Sequence, residues 1–153
     1  LREAAGHMQE YEKEKARLAA EPSLRDKPRW YQKLTMHFRR AKWYQGVADR
    51  FARQQQDPTV AVSIHVIRLG DMAIVSNPFE YYLDLGVIIK ARSPAVQTFI
   101  VQLAGAGTYA PSERSIQGGG YGAVPSSNRI DPIGSRQLAE ASLALLGELW
   151  APR

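Results

Sequence analysis

Glycine and proline are concentrated after position 57, and this distribution limits what each part of the chain can form. Only 2 of the 12 glycines and 2 of the 9 prolines precede position 58. Because both residues interrupt helices and favour turns, the first part is predicted to be helical and the second to consist of short elements separated by turns. We therefore divide the chain into a helical segment, 1–57, and a carboxyl-terminal portion, 58–153, and expect one structural unit overall.

Charge follows the same division. Residues 1–57 contain 13 Lys and Arg against 8 Asp and Glu, whereas the remainder has 7 of each class, so the whole net charge of +5 belongs to the helical segment. The chain has no cysteine, which excludes disulfides, thiolate metal sites and cysteine nucleophiles. Its 153 residues match one ordinary domain, and no apolar run reaches the roughly 18 residues that predict a membrane span.

The basic segment predicts two helices, over 1–21 and 28–55. The second helix has apolar residues at three- and four-residue steps, which form one stripe that needs a covering partner; the stripe consists of Leu34, Phe38, Ala41, Tyr44, Val47 or Ala48, and Phe51. Basic and aromatic residues on this helix also suit nucleic acid or a membrane surface. A packed helix with a solvated basic face explains the same residues, so nucleic acid is not the expected partner, while peripheral membrane contact stays open.

The carboxyl-terminal portion predicts a small mixed sheet with flanking helices. Its expected elements are strands at 60–68 and 72–75 joined as a hairpin, a helix from Asn77 to about 92, a strand at 97–103, a glycine-rich loop over 104–134 and a helix over 135–150. Asn77, Pro78 and Glu80 have the order of a helix N-cap, first-turn proline and capping-box glutamate. The predicted fold class is α/β, as part of a larger α/β domain.

Several familiar catalytic motifs are absent or incomplete. Gly105–Ala110 follows a strand as a dinucleotide-binding turn does, but Pro111 opposes the helix that should continue it. The cluster Gly118–Gly122 lacks the lysine of a phosphate-binding loop. The three histidines show no metal-binding spacing, and no serine lies in a Gly-x-Ser-x-Gly elbow.

Glu80 and Tyr109 each follow a predicted strand. By themselves they are explained as a capping glutamate and a loop aromatic. Open α/β sheets nevertheless bind their ligands at the carboxyl ends of strands. If the two strands are neighbours, two oxygen ligands converge there.

Residues 67–150 resemble the carboxyl-terminal part of the neutral/alkaline ceramidase-like family, including its short bacterial relatives of unassigned substrate. The residues that carry the resemblance are IRLGDMAIVSNPFE (67–80), KARSP (90–94), QTFIVQLAGAGTYAPSE (97–113), GGGYG (118–122) and SNRIDPIGSRQLAEASLALL (127–146). Their order and spacing together are more specific than any one motif.

The resemblance implies a zinc-dependent hydrolase of amide bonds, acting on ceramide, another amide-containing lipid or a small amide. It assigns Glu80 and Tyr109 as two Zn²⁺ ligands, with two histidines from a missing upstream segment or another chain completing the site. Thr108, Ser112 and Tyr121 are then pocket residues that bond the ligands or substrate. No catalytic residue is expected within this piece, which alone should be inactive. The resemblance favours bacterial export or a periplasmic location, while a cytoplasmic location and homo-oligomers stay open.

The alternative is a non-enzymatic interaction module. In that case the basic helices bind a protein partner, nucleic acid or an anionic membrane surface, and Glu80 is only a cap.

Overall fold

The computed structural model describes residues 1–152. Its contacts divide the chain into two compact units, Leu1–Thr59 and a second unit that begins at Val60. We expected one structural unit overall with an internal boundary after position 57. The division lies close to that boundary because residues 57–64 form no helix or strand, so no regular hydrogen bonding crosses it.

The first unit is a pair of helices. Helix α1 (Arg2–Ala20) and helix α2 (Gln32–Gln54) pack against each other, and a short 3₁₀ helix, Pro22–Asp26, lies between them in the chain. Helix α2 begins later than position 28 because the intervening residues form turns, with Arg29 at a φ of 59°. Among the described residues, no helix in either unit has the length and apolar character of a membrane span.

Helix α1 covers the apolar stripe of α2 only in part. Ala41 is 2% exposed, whereas Phe51 at the far end of the stripe is 65% exposed. The buried apolar residues of this unit are few, two alanines and two leucines: Ala4, Leu18, Leu24 and Ala41. Burial of this little apolar surface contributes modestly to stability.

The second unit contains the sheet. Its elements are β1 (His65–Leu69), β2 (Met72–Ser76), β3 (Glu80–Tyr81), α3 (Leu83–Arg92), β4 (Gln97–Val101), β5 (Tyr109–Ala110), α4 (Glu113–Gln117) and α5 (Pro132–Trp150), with a 3₁₀ helix at Tyr121–Ala123. The sheet order is β1-β2-β4, with β1 antiparallel and β4 parallel to β2. Strands β3 and β5 form a second, parallel pair. The predicted small mixed α/β fold is confirmed.

The core of this unit lies on one face of the three-stranded sheet. Ala73 and Val75 of β2 are buried in one cluster with residues of α3 and α5, namely Leu85, Ile89, Leu138, Ala139 and Leu146. An ion pair between Arg92 and Glu140 joins the two helices. The opposite face of the sheet carries exposed apolar side chains: Ile67, Met72, Phe99 and Val101.

Two expected elements were wrong at their starts. Asn77 does not cap a helix: its side-chain oxygen accepts a hydrogen bond from the Phe79 N–H at 2.8 Å, and α3 begins only at Leu83. Glu80 belongs to β3 because its N–H donates to the Thr108 carbonyl at 2.9 Å, a tertiary bond that overrides the local capping pattern. The first strand starts at His65 because strand pairing with β2 begins there.

The segment 104–134 is not a continuous loop. It contains β5, α4 and the 3₁₀ helix, and α5 starts within it at Pro132. Helix α4 starts at Ser112, whose side chain caps the Ser115 N–H at 3.2 Å. Such short elements have little periodicity of their own, so the sequence pattern did not reveal them.

Replacing Tyr81 by phenylalanine is expected to reduce the loss of stability at alkaline pH. Tyr81 is 7% exposed, and its burial raises the pKa of the phenol to about 12 from its ordinary value of 10. The unfolded chain releases this proton first, so the free energy of unfolding falls as pH rises from about 10 to about 12, by roughly 3 kcal/mol in total.

Urea unfolding of both proteins from pH 8 to the alkaline limit of the fold checks this expectation. The Tyr81→Phe protein should lose stability less steeply above the ordinary pKa of tyrosine. Equal slopes for the two proteins would contradict it.

Candidate functional site

Strands β2 and β4 form one parallel pair, and strands β3 and β5, which follow them in the chain, form the next. After β2 and β4, the Asn77 N–H donates to the Val101 carbonyl at 3.0 Å, and the Leu103 N–H donates to the Phe79 carbonyl at 3.2 Å. These bonds lead into the pairing of β3 with β5. The carboxyl ends of neighbouring strands therefore lie together, as an α/β ligand site requires.

Gly107 permits this close approach. A Cβ atom at position 107 would lie 1.7 Å from the carbonyl oxygen of Pro78 and 2.8 Å from the Cα of Phe79. Both are backbone atoms of the facing segment, so only a residue without a side chain fits here. The glycine of the apparent dinucleotide motif thus brings β3 and β5 together.

Glu80 and Tyr109 are register partners in the β3–β5 pair. Parallel strands are spaced by about 4.8 Å, and paired residues project to the same face, so the two side chains are immediate neighbours. Both are partly exposed and line a cleft of about 340 Å³. The other lining residues are Tyr81, Tyr82, Leu83, Tyr121 and Gly122.

The Glu80 carboxylate acts directly on the phenol of Tyr109. Its negative charge is the largest cause that raises the pKa of Tyr109, followed by burial and by a hydrogen bond with Glu80. Without a cation the phenol therefore stays protonated at neutral pH and donates to the carboxylate. A cation beside both oxygens would reverse this preference, because it stabilises the phenolate.

Aromatic rings surround Tyr109. The Tyr121 ring meets it edge to face with centroids 5.9 Å apart, and the Tyr82 ring lies 6.3 Å away. Gly122 allows this packing, since a Cβ atom there would lie 2.6 Å from the Tyr109 ring and 2.9 Å from the Tyr82 hydroxyl. The cleft is thus lined by one carboxylate and four tyrosines, and the rings of Tyr82 and Tyr121 lie beside that of Tyr109.

The three predicted pocket residues have different places. Tyr121 lines the cleft. Thr108 accepts a hydrogen bond from the Arg129 N–H at 3.0 Å and holds the following loop beside β5. The Ser112 hydroxyl donates to the Asp84 carboxylate at 2.5 Å and caps α4, so it ties that helix to α3.

The donor set of the cleft fits part of a zinc site. Across residues 1–152, no cluster of three His, Cys, Asp or Glu side chains is placed to hold a metal ion. Glu80 and Tyr109 offer one carboxylate and one phenol oxygen, and a catalytic zinc site uses three protein ligands and an open position. A zinc site built on this pair would need at least one further protein ligand.

The sequence patterns did not reveal a contact between His7 and His37. Their Nδ1 atoms lie 3.1 Å apart across α1 and α2. Metal motifs are recognised by short spacings along the chain, and this pair is separated by 30 positions. The available signal was one histidine on each of two consecutive helices.

The basic first unit keeps much of its aromatic surface exposed, on α2 and in the turn before it. Trp30, Tyr31 and Trp43 are all exposed, and the guanidinium of Arg25 lies 5.9 Å from the ring of Trp30. The interaction-module alternative stays a prediction.

No family model, curated protein or solved structure matches this chain. The ceramidase-like resemblance therefore stays a prediction.

Proposed function

We propose that Glu80 and Tyr109 are two ligands of a zinc-dependent amide hydrolase of the ceramidase-like type, completed by ligands from a segment or chain outside these 153 residues. The observation that supports this most is the register pairing of the two residues on β3 and β5. The resemblance assigned both as ligands from motifs 29 positions apart in the chain, and they are neighbours at one edge of a cleft.

Zinc in such a site supplies a water of lowered pKa and polarises the amide carbonyl. Glu80 contributes a negative oxygen that is fixed in position by strand pairing, since its own N–H is bonded to Thr108. Tyr109 is held on one side by the pairing of β5 with β3 and on the other by its N–H, which donates to the Ser127 carbonyl at 3.2 Å. The phenol must lose its proton before it can bind a cation, so metal binding is expected to weaken as pH falls.

The cleft favours an amide with an apolar portion. Tyr82, Tyr109 and Tyr121 present ring faces and edges, and Leu83 beside them is strongly exposed. Aromatic and aliphatic surface of this kind binds acyl chains or other apolar groups, while the carboxylate and phenol oxygens mark the polar end. This supports an N-acyl amine substrate over a charged peptide.

The variants Glu80→Gln and Tyr109→Phe are expected to lose zinc affinity at least tenfold in the protein with its completing segment, because each removes one anionic ligand. Hydrolysis of a fluorogenic N-acyl amide should fall by about 100-fold or more, since the activated water depends on the bound ion. Calorimetric zinc titration and a fluorescence rate assay measure the two effects. The 153-residue chain alone should show no hydrolysis.

Matched controls are Glu148→Gln and Tyr31→Phe, which make the same chemical changes at exposed residues that are not among those lining the cleft. Both should keep the zinc affinity and rate of the parent. The proposal is wrong if Glu80→Gln and Tyr109→Phe behave like these controls.

A further inference from the structure

His7 on α1 and His37 on α2 are joined by a hydrogen bond between their side chains. Both side chains are of a type that binds metal ions. The Nδ1 atoms face each other at 3.1 Å, and both side chains are half-buried. One ring donates its Nδ1–H while the other accepts, so the accepting Nδ1 carries no proton. Neutral imidazole is the form that binds transition metals.

The separation of the two nitrogens matches an edge of a coordination sphere. With metal–nitrogen bonds of about 2.05 Å, two ligands are about 3.3 Å apart at a tetrahedral angle and about 2.9 Å apart at a right angle. The observed 3.1 Å lies between these values. To bind a metal ion, both rings must turn so that their Nδ1 lone pairs point at the ion, and the proton of the donor ring moves to its own Nε2.

Neighbouring side chains orient the pair and add negative charge. The ring of Tyr44 is stacked on His7, with centroids 5.8 Å apart and planes 6° from parallel. Glu10 lies one turn after His7 on α1; Lys13 is the main cause that lowers the pKa of its carboxyl, and both histidines contribute to the same direction. The carboxylate is thus close enough to favour a cation at the histidine pair.

We propose that His7 and His37 form a two-histidine site for a divalent first-row transition-metal ion, which bridges α1 and α2. Water molecules would fill the remaining positions. This site lies within the first unit and is independent of Glu80 and Tyr109. Two imidazoles on separate helices make the ion a cross-link, so binding should stabilise the helix pair.

Titration of the 153-residue chain with Cu²⁺ and with Zn²⁺ in a non-coordinating buffer tests the proposal. We expect one ion per chain, tighter binding of Cu²⁺ than of Zn²⁺, and a rise in the thermal unfolding midpoint of the chain. His7→Gln and His37→Gln should each weaken binding at least tenfold and remove that rise. Electron paramagnetic resonance of the Cu²⁺ complex should show two coupled imidazole nitrogens in the parent and fewer in each variant.

The third histidine provides a matched control. His65 lies on β1, outside the helix pair, and His65→Gln should keep the affinity of the parent. Far-ultraviolet circular dichroism of each variant should show unchanged helix content. Affinities of His7→Gln and His37→Gln equal to that of His65→Gln would overturn the proposal, as would a parent spectrum without two coupled nitrogens.

Discussion

Gly107→Ala is expected to unfold the second unit or destabilise it by about 3 kcal/mol or more, near or above the upper range for overpacking. The added Cβ would lie 1.7 Å from the Pro78 carbonyl oxygen and 2.3 Å from its carbon. Neither atom can rotate away as the end of a side chain could. Relief therefore requires β3 and β5 to separate, which breaks the Glu80 N–H bond to Thr108. Urea denaturation followed by circular dichroism measures the loss.

Gly147→Ala is the matched control for this change. Gly147 lies in α5, and a Cβ atom there would meet nothing within 4 Å. At an exposed helical position alanine is more stabilising than glycine by about 1 kcal/mol, so this variant should be slightly more stable than the parent. Equal unfolding midpoints for the two alanine variants would contradict the close approach at Gly107.

Leu146→Ala is expected to destabilise the second unit by about 2–5 kcal/mol, because it leaves a cavity in the core. Leu146 is 0% exposed and lies in the cluster formed by β2, α3 and α5. Thermal and urea unfolding should both show the change.

Leu149 on the same helix allows the same substitution without a cavity. It is 40% exposed, so Leu149→Ala should lower the free energy of unfolding by less than about 1 kcal/mol. A loss at Leu149 as large as that at Leu146 would mean that α5 packs with a different face toward the sheet.

Long periodic segments were predictable from the sequence. Helices α1, α2 and α5 repeat their apolar residues over many positions, and the β1–β2 hairpin is marked by a turn at Gly70, whose φ is 62°. Local patterns of this kind report the element type directly. Their boundaries were less predictable, as α2 shows, because turn residues before Gln32 retain a helical composition.

The short elements around the cleft were not predictable in the same way. Strands β3 and β5 have two residues each and exist through hydrogen bonds to one another. The order Asn77, Pro78, Glu80 favours a helix start locally, yet the Glu80 N–H is taken by Thr108 in the paired segment. A bond between distant segments therefore decided the structure at the most important candidate residue.

The contact between His7 and His37 in the first unit was not predictable from the sequence for a similar reason. The pattern along α1 and α2 indicates two helices but contains no information on which turn of one lies opposite which turn of the other. The packing of α1 against α2 buries Ala4 and Ala41 and places His7 against His37. The contact follows from tertiary packing alone.

Residue types and their periodicity determined the two-part organisation, the basic charge of the helices, the α/β class and the presence of Glu80 and Tyr109 at strand ends. These properties depend on neighbours in the chain, which the sequence displays directly. Tertiary structure decided that Glu80 faces Tyr109, that Gly107 must lack a side chain, and that two distant histidines meet. Each of these depends on the approach of segments separated by about 30 residues, and only the packed chain sets that approach.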